Sequence, residues 1–167
     1  GLGINHARLG QRDLAVTFLQ DAVALRRRQG RAEPLAHALA QLGDVHQQQR
    51  DLVRASAAHR EAVETIGPKA APALRARMLL ALGDDQASSG QHLQAVGTLT
   101  DALGLLATPT HVLAPRVLAT RARSRRLAGQ LALAEADASG AAALARNNDD
   151  RESLIAALIE GARVALD

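Results

Sequence analysis

The chain has 167 residues, of which 47% are hydrophobic, and it carries a formal net charge of +3 and no cysteine. The lack of cysteine excludes a disulfide framework, a thiolate nucleophile and a cysteine zinc site. The apolar residues are almost all Ala, Leu and Val, and Phe18 is the single Phe, Tyr or Trp. Because Ala and Leu are strong helix formers while strands favour β-branched and aromatic residues, the composition predicts an all-α protein.

Neither a targeting segment nor a membrane span is visible in the sequence. The first residues lack the charged and apolar regions of a signal peptide, and no apolar run approaches the ~20 residues that a membrane-spanning helix requires. A reducing compartment suits a chain without cysteine. We therefore expect a cytoplasmic protein with no membrane association.

A Leu-Gly pair recurs every forty residues, at Leu2-Gly3, Leu42-Gly43 and Leu82-Gly83. Alanines keep the same period in the stretch that follows each pair. They are Ala15, Ala55 and Ala95, and then Ala22, Ala62 and Ala102. An internal period of this length predicts stacked helix-turn-helix units, which build a right-handed α-solenoid.

The first two units are read from their turn residues. Residues 1–9 resemble the end of a helix, Gly10 marks a turn, and a second helix over residues 11–28 ends at Gly30. The second unit is expected to open at Glu33-Pro34, because proline is tolerated in the first helical turn.

Asp51 is placed to cap the second helix of the second unit, and Gly67-Pro68 ends that helix. The third unit repeats the scheme, with its turn at Ser89-Gly90.

The fourth unit keeps the period less well. Gly129 follows Gly90 by thirty-nine residues, and the Leu-Gly pair is absent. Its first helix could begin near Thr108-Pro109 or at Pro115. A last helix is expected to start at Asn148 or Asp149, where Glu152 could complete a capping box.

These observations divide a single solenoid, residues 1–167, into units of about 1–30, 33–67, 70–107 and 109–147, with a terminal helix over 149–166. Because the first unit lacks half its length and the last helix has no partner helix, we expect the chain to be a fragment of a longer protein. Exposed ends of such a solenoid offer surfaces for self-association.

The motif Leu-Gly-x-x-His at 2–6 and 42–46, the turn glycines and the alanine series resemble the tetratricopeptide repeat (TPR) in a lengthened form of about 40 residues. His46 stands where that family commonly has Tyr, and Gln86 departs further. The Ala- and Arg-rich texture is similar to TPR units of bacterial transcriptional regulators and signalling ATPases. This likeness implies a sensing or scaffolding segment that is joined to other domains of its parent chain.

The resemblance also implies that the first helix of each unit lines a concave groove for a peptide or partner domain. Groove candidates lie one turn on either side of the packing face of these helices. They are His37, Ala40, Asp44, Gln47 and Gln48 in the second unit, Arg77, Leu80, Asp84, Ala87 and Ser88 in the third, and Arg116, Arg123 and Arg126 in the fourth.

The stretch between Asp101 and Glu135 holds five arginines and no acid. Arg116, Arg123 and Arg126 are spaced by seven and three residues, so they can share one helix face. Because arginine pairs bidentately with carboxylate or phosphate, one hypothesis is an acidic peptide or a phosphate-bearing partner. The alternative is a solvated helix face, or arginines paired with acids of adjoining units.

Other functional classes find less support. No two of the six histidines are spaced i, i+4, so we expect no metal site. No nucleophile elbow or Gly-rich phosphate loop is present, and we expect neither an enzyme nor a cofactor. Binding of a nucleic-acid backbone through the arginines is the alternative function, although the lack of aromatic stacking residues argues against it.

Overall fold

The computed structural model describes residues 12–106, 108 and 111–167, and the regular structure of these residues is helical throughout. The all-α prediction is confirmed. Expectations that concern Leu2-Gly3, His6, Gly10 and Pro109 lie outside the described residues. The helices are α1 (Arg12–Gln29), α2 (Ala32–Gln48), α3 (Leu52–Ile66), α4 (Pro72–Ser88), α5 (His92–Gly104), α6 (Ala114–Leu127), α7 (Leu131–Asn147) and α8 (Arg151–Val164).

The helices divide into two compact units, Gly1–Ala71 and Pro72–Asp167. In the first unit, α2 packs against both α1 and α3. In the second unit each helix packs against the next, and α6 also contacts α4 and α8. The helices α4, α6 and α8 are therefore neighbours within the second unit, and their shared face forms the site described below.

The Leu-Gly signature marks the closest approach of the two helices in a repeat. A Cβ atom on Gly43 would lie 2.4 Å from Nε2 of His59, and one on Gly83 would lie 2.8 Å from Cδ2 of Leu99. His59 and Leu99 are both buried. Because no side chain fits between them and the opposite backbone, both repeats need glycine at this position.

The fourth repeat solves the same contact differently. Thirty-nine residues after Gly83 and Leu99 stand Ala122 and Ala138, and both are buried. The larger residue in the first helix is matched by a smaller residue in the second. With alanine at residue 138, the first helix of that repeat does not need glycine at residue 122.

The short connections contain a residue with positive φ. Gly30, Gly90 and Gly129 take this conformation without steric cost, whereas Arg50 (φ 63°) and Asp149 (φ 54°) adopt it as non-glycine residues. Residues with a Cβ are disfavoured there, and Asp is one of the few that tolerate it.

Several predicted helix starts can be compared with the structure. Asp51 caps α3 as expected, since its carboxylate accepts a hydrogen bond from the Arg54 backbone N–H at 3.0 Å. The start of α6 at Ala114 puts Pro115 in the first turn, so the Pro115 alternative is the one adopted. Helix α2 begins at Ala32, slightly before the expected Glu33-Pro34.

The expected start of the last helix at Asn148 or Asp149 is wrong. Helix α8 begins at Arg151, and Asp150 is its N-cap, accepting a hydrogen bond from the Ser153 backbone N–H at 3.1 Å. The left-handed backbone of Asp149 excludes that residue from the cap position. Glu152 is therefore not placed three residues after the cap, and the predicted capping box does not form.

Asp150→Ala is expected to destabilise the second unit by about 0.5–2 kcal/mol, because the cap bond to α8 is lost. Hydrogen bonds from the hydroxyl and backbone N–H of Ser153 lower the pKa of Asp150 from its ordinary value of 3.8. The stabilisation by Asp150 is therefore complete above pH 3.8 and is lost as the pH falls through the lowered pKa. Urea unfolding of the wild type and of Asp150→Ala at neutral and acidic pH checks this result. An equal difference in unfolding free energy at the two pH values would contradict it.

Candidate interaction site on the second unit

A cavity of about 450 Å³ opens on the shared face of α4, α6 and α8. Arg116 and Arg123 reach it together because they lie seven residues, or two turns, apart on α6. Its charged and hydroxyl lining consists of Asp84 from α4, Arg116, Thr120 and Arg123 from α6, and Glu152, Ser153, Glu160 and Arg163 from α8. The cavity therefore combines guanidinium and carboxylate groups from three helices.

Asp84 lies at the centre of the polar contacts between α4 and α6. Its carboxylate accepts hydrogen bonds from Thr120 Oγ1 at 3.1 Å and from Arg116 Nη2 at 3.4 Å. Burial raises the pKa of Asp84, while the charge of Arg116, the hydrogen bond from Thr120 and the charge of Arg123 act against the rise. Because Arg116 is 64% exposed and its contact with Asp84 is long, its guanidinium remains accessible to a ligand.

Two arginines of α6 contact helix α7 and do not line the cavity. Asp137 of α7 accepts two hydrogen bonds from Arg121, at 2.8 and 2.7 Å, and lies 2.7 Å from Nη1 of Arg125. The side chains of Arg121, Arg125 and Asp137 are only 13%, 15% and 6% exposed, respectively. This buried cluster joins α6 to α7.

Arg126 and Glu160, which are mostly buried, lie at the centre of a second cluster. The guanidinium of Arg126 contacts Glu160 of α8 at 3.1 Å and Asp167 at 3.0 Å, and Arg163 also contacts Glu160, at 2.7 Å. The hydrogen bond to Asp167 raises the pKa of Arg126, and the hydrogen bond to Glu160 acts in the same direction. Arg126 thus contacts the acids of α8 and the chain beyond it, and it does not line the cavity.

Arg123 differs from the other four arginines of α6. Within the described part of the chain it makes no salt bridge or hydrogen bond, although its charge acts on Asp84 through space. Arg116, Arg121, Arg125 and Arg126 all contact carboxylates. The structure therefore leaves one half-buried guanidinium facing the cavity without an acid of its own.

The remaining candidates occupy other places. In the first unit, Asp44 is 60% exposed and lies 3.4 Å from the buried Nε2 of His59. His37 borders a hollow formed by the start of α2. Gln47 and Gln48 lie further along the same helix, and both interact with other groups of the protein.

In the second unit, Arg77 is exposed on α4 and lies outside the cavity lining. Leu80 and Ala87 were expected to face the groove, but both are buried in the core. The cavity thus unites Asp84, Arg116 and Arg123 from the predicted set.

Sequence reasoning missed Thr120 and the three charged residues of α8, namely Glu152, Glu160 and Arg163. Because the division into units sets α8 apart as a terminal helix after four repeats, no groove candidates were assigned to it. Their spacings of eight and three residues place them on one helix face. An interpretation of α8 as another first helix would have placed them beside the groove.

Neither a metal site nor a membrane-spanning helix is found among the residues that the structure describes. No group of three or more His, Cys, Asp or Glu side chains is arranged to hold a metal ion there. Of the helices described, none combines the length and apolar character that crossing a bilayer would take.

Paired helices that stack through short turns, with a groove on the first-helix side, define a helical-repeat protein. No protein-family model matches the chain, and no curated protein matches its sequence. Solved structures do match. The TPR-like repeats of Podosopora anserina that carry the name kinesin light chain share 20% identity with this chain at a TM-score of 0.79, covering 98% of this chain and 82% of that one.

Two further structures are similar. BtubC (BKLC) from P. vanneervenii has 17% identity and a TM-score of 0.70, over 85% of this chain and 61% of its own. MamA from Desulfovibrio magneticus RS-1 has 15% identity and a TM-score of 0.65, over 98% and 91%. The predicted TPR-like solenoid class is thereby confirmed. At these identities the likeness shows the fold and does not transfer a partner.

Proposed function

We propose that the chain is a non-enzymatic scaffold for protein interaction or sensing, acting in the cytoplasm within a bacterial regulatory or signalling protein. Its second unit receives an acidic segment of a partner protein, or of another domain of the parent chain, in the cavity of α4, α6 and α8. The observation that carries this proposal is Arg123, whose guanidinium faces the cavity without an acid partner among the described residues. The four other arginines of α6 already have such partners.

The spacing of the two accessible arginines favours an extended peptide. Arg116 and Arg123 are seven residues apart, so their backbone positions differ by about 10.5 Å along α6. A peptide in the polyproline II conformation advances about 9.3 Å in three residues, and with three residues per turn it brings the side chains of residues i and i+3 to the same side. Two acidic side chains in a Glu-x-x-Glu pattern therefore match the pair, and each guanidinium can bind a carboxylate through a charge-assisted fork.

The charges on the other side of the cavity orient such a peptide. Glu152 projects from α8 and repels a second anionic group on that side. An acidic segment is therefore expected to run along α6, with its carboxylates directed toward Arg116 and Arg123. The apolar side chains of Ala119 and Ile159 in the same lining can contact the residues between the acids.

Binding of nucleic-acid backbone receives less support. Affinity for phosphates depends on several free cationic groups, and four of the five arginines on α6 contact protein carboxylates instead. A comparison of peptide binding with oligonucleotide binding distinguishes the two functions.

An array of short peptides that carry Glu-x-x-Glu, with Gln-x-x-Gln peptides beside them, tests the proposal. The matched control for Arg123→Gln is Arg60→Gln, which removes one exposed arginine from the first unit. We expect Arg123→Gln to weaken the best Glu peptide about tenfold, since a charged hydrogen bond is worth ~1.5–3 kcal/mol, and Arg60→Gln to leave it unchanged.

Equal weakening by both variants would reduce the binding to general charge attraction and overturn the proposal. A single-stranded DNA oligonucleotide that binds more tightly than every peptide, and loses affinity steeply with salt, would support the nucleic-acid function. A peptide sequence that passes the test can then be used to search for the natural partner. A pull-down would check that partner by comparing the wild-type protein with the Arg116→Gln/Arg123→Gln variant.

A further inference from the structure

Helix α8 has an exposed apolar face opposite the face that it buries. One face buries Ser153, Ala157 and Glu160 against the rest of the second unit. Near the other side, Ile155 is 59% exposed and Leu158 is 49% exposed.

Ile159, at 46% exposed, and the exposed Ala162 extend this second face along the helix. Large apolar side chains that recur at i, i+3, i+4 and i+7 form a stripe suited to packing against another helix.

A groove of about 330 Å³ runs beside this stripe, between α7 and α8. Small residues line most of it, including Ala138 and Ala142 from α7 and Gly161 and Ala162 from α8. A Cβ atom on Gly161 would meet only Ala138, at 3.9 Å. An approaching helix can therefore insert a Leu or Ile side chain here, as ridges insert into grooves in helix packing.

We propose that this face binds α8 of a second copy of the chain, in an antiparallel pair whose two-fold axis passes near Leu158. The argument for this occupant is charge complementarity. Glu152 and Arg163 lie eleven residues, or three turns, apart on the same flank of the stripe, and Arg163 remains 53% exposed beside its own Glu160. An antiparallel pair centred between them places Glu152 opposite Arg163 of the partner subunit, and two-fold symmetry creates this contact twice.

A parallel pair would instead place Glu152 beside Glu152 of the partner subunit, and Arg163 beside Arg163 of the partner subunit. Like charges at such positions repel. In the antiparallel pair, Leu158 lies near the symmetry axis and meets its own copy. Ile155 lies opposite residues 161 and 162, where the groove of small side chains receives it.

Cysteine cross-linking tests this geometry directly, because the natural chain has no cysteine and any disulfide must join two copies. Leu158→Cys is expected to form a disulfide dimer rapidly under mild oxidation. Val53→Cys is the control, since Val53 is 82% exposed on α3 of the first unit and should stay monomeric under the same conditions. Ile155→Cys alone should link slowly, whereas a mixture of Ile155→Cys and Ala162→Cys chains should form the heterodimer.

Light scattering after size-exclusion chromatography provides the second measurement. The wild-type chain should approach twice its monomer mass as concentration rises, and Leu158→Glu should raise the dimer dissociation constant at least tenfold. Val53→Glu should not change it. Circular dichroism checks that both variants fold, and retained peptide binding by Leu158→Glu would separate this interface from the Arg123 cavity.

Two results would overturn the dimer. One is a wild-type chain that stays monomeric at every concentration while Leu158→Cys links no faster than Val53→Cys, as expected if another segment or protein covers this face. The other is equally rapid linking by Ile155→Cys and Leu158→Cys, which would indicate a parallel pair.

Discussion

Gly83→Leu is expected to destabilise the second unit by roughly 1–3 kcal/mol, because a side chain at residue 83 has no space. Its Cβ atom would lie 2.8 Å from both Cδ2 and Cγ of Leu99. Leu99 is fully buried and cannot move toward solvent. The overpacking therefore outweighs the gain of up to ~1 kcal/mol in helix propensity that replacement of glycine brings.

The control for this variant is Gly97→Leu. Gly97 is an exposed residue of α5 whose Cβ would meet nothing within 4 Å. The same substitution is therefore expected to leave stability unchanged or to raise it by up to ~1 kcal/mol, through helix propensity. Urea unfolding should show a loss of stability for Gly83→Leu and none for Gly97→Leu, and coincident curves would disprove the packing role of Gly83.

The fourth repeat suggests a rescue of the same contact. Leu99→Ala alone should cost ~2–5 kcal/mol because it leaves a cavity. Adding Gly83→Ala to it reproduces the Ala122 and Ala138 combination of the fourth repeat. The double variant is expected to be more stable than Leu99→Ala alone, and a double-mutant cycle measures the coupling.

Asp137→Ala is expected to destabilise the second unit by about 3–5 kcal/mol, the largest single effect on this surface of α7. The substitution leaves Arg121 and Arg125, which are mostly buried, without their carboxylate. These two arginines are four residues apart on α6, so they also repel each other once Asp137 is gone. Their other hydrogen bonds, to Thr100 Oγ1 and the Leu133 carbonyl, are to uncharged groups and do not replace the carboxylate.

The control is Glu135→Ala, which removes an exposed acid from the same helix and should change stability by no more than ~0.5 kcal/mol. Asp137→Asn separates charge from shape, because it keeps the side-chain volume and an oxygen acceptor while losing the charge. Chemical unfolding of the three variants should rank Ala as the least stable, Asn between, and Glu135→Ala near wild type. Equal values for Asp137→Ala and Glu135→Ala would show that the cluster contributes nothing.

The arginines show where sequence reasoning reached its limit. The sequence alone revealed five arginines between Asp101 and Glu135 with no acid among them, and it left two interpretations open. Pairing with acids of adjoining helices is what the structure shows for four of the five, and the binding of an acidic partner remains a prediction. Arg126 contacts acids of a neighbouring helix and the segment after it, whereas Arg123 contacts none among the described residues. Spacing along one helix could not separate them, because both lie near the same face of α6.

The last helix provides the second example. Its existence as a separate helix after the four repeats was visible in the sequence. Its role in the cavity was not, because Glu152 and Arg163 become site residues only when α8 packs against α6. The error at its start had a local cause, since Asp149 and Asp150 are adjacent residues of the same type, and the left-handed backbone of Asp149 makes Asp150 the cap.

By itself the sequence determined the helical class, the forty-residue period and most turns, since these follow from local properties: helix propensity, the conformational freedom of Gly90, the fixed φ of Pro115 and the cap at Asp51. Only the tertiary structure decided which charges meet. Asp84 and Arg116 are thirty-two residues apart in the chain, and Arg126 and Glu160 thirty-four. Such pairs form between the ends of long side chains on different helices, so they depend on how the helices pack and not on any repeat within one helix.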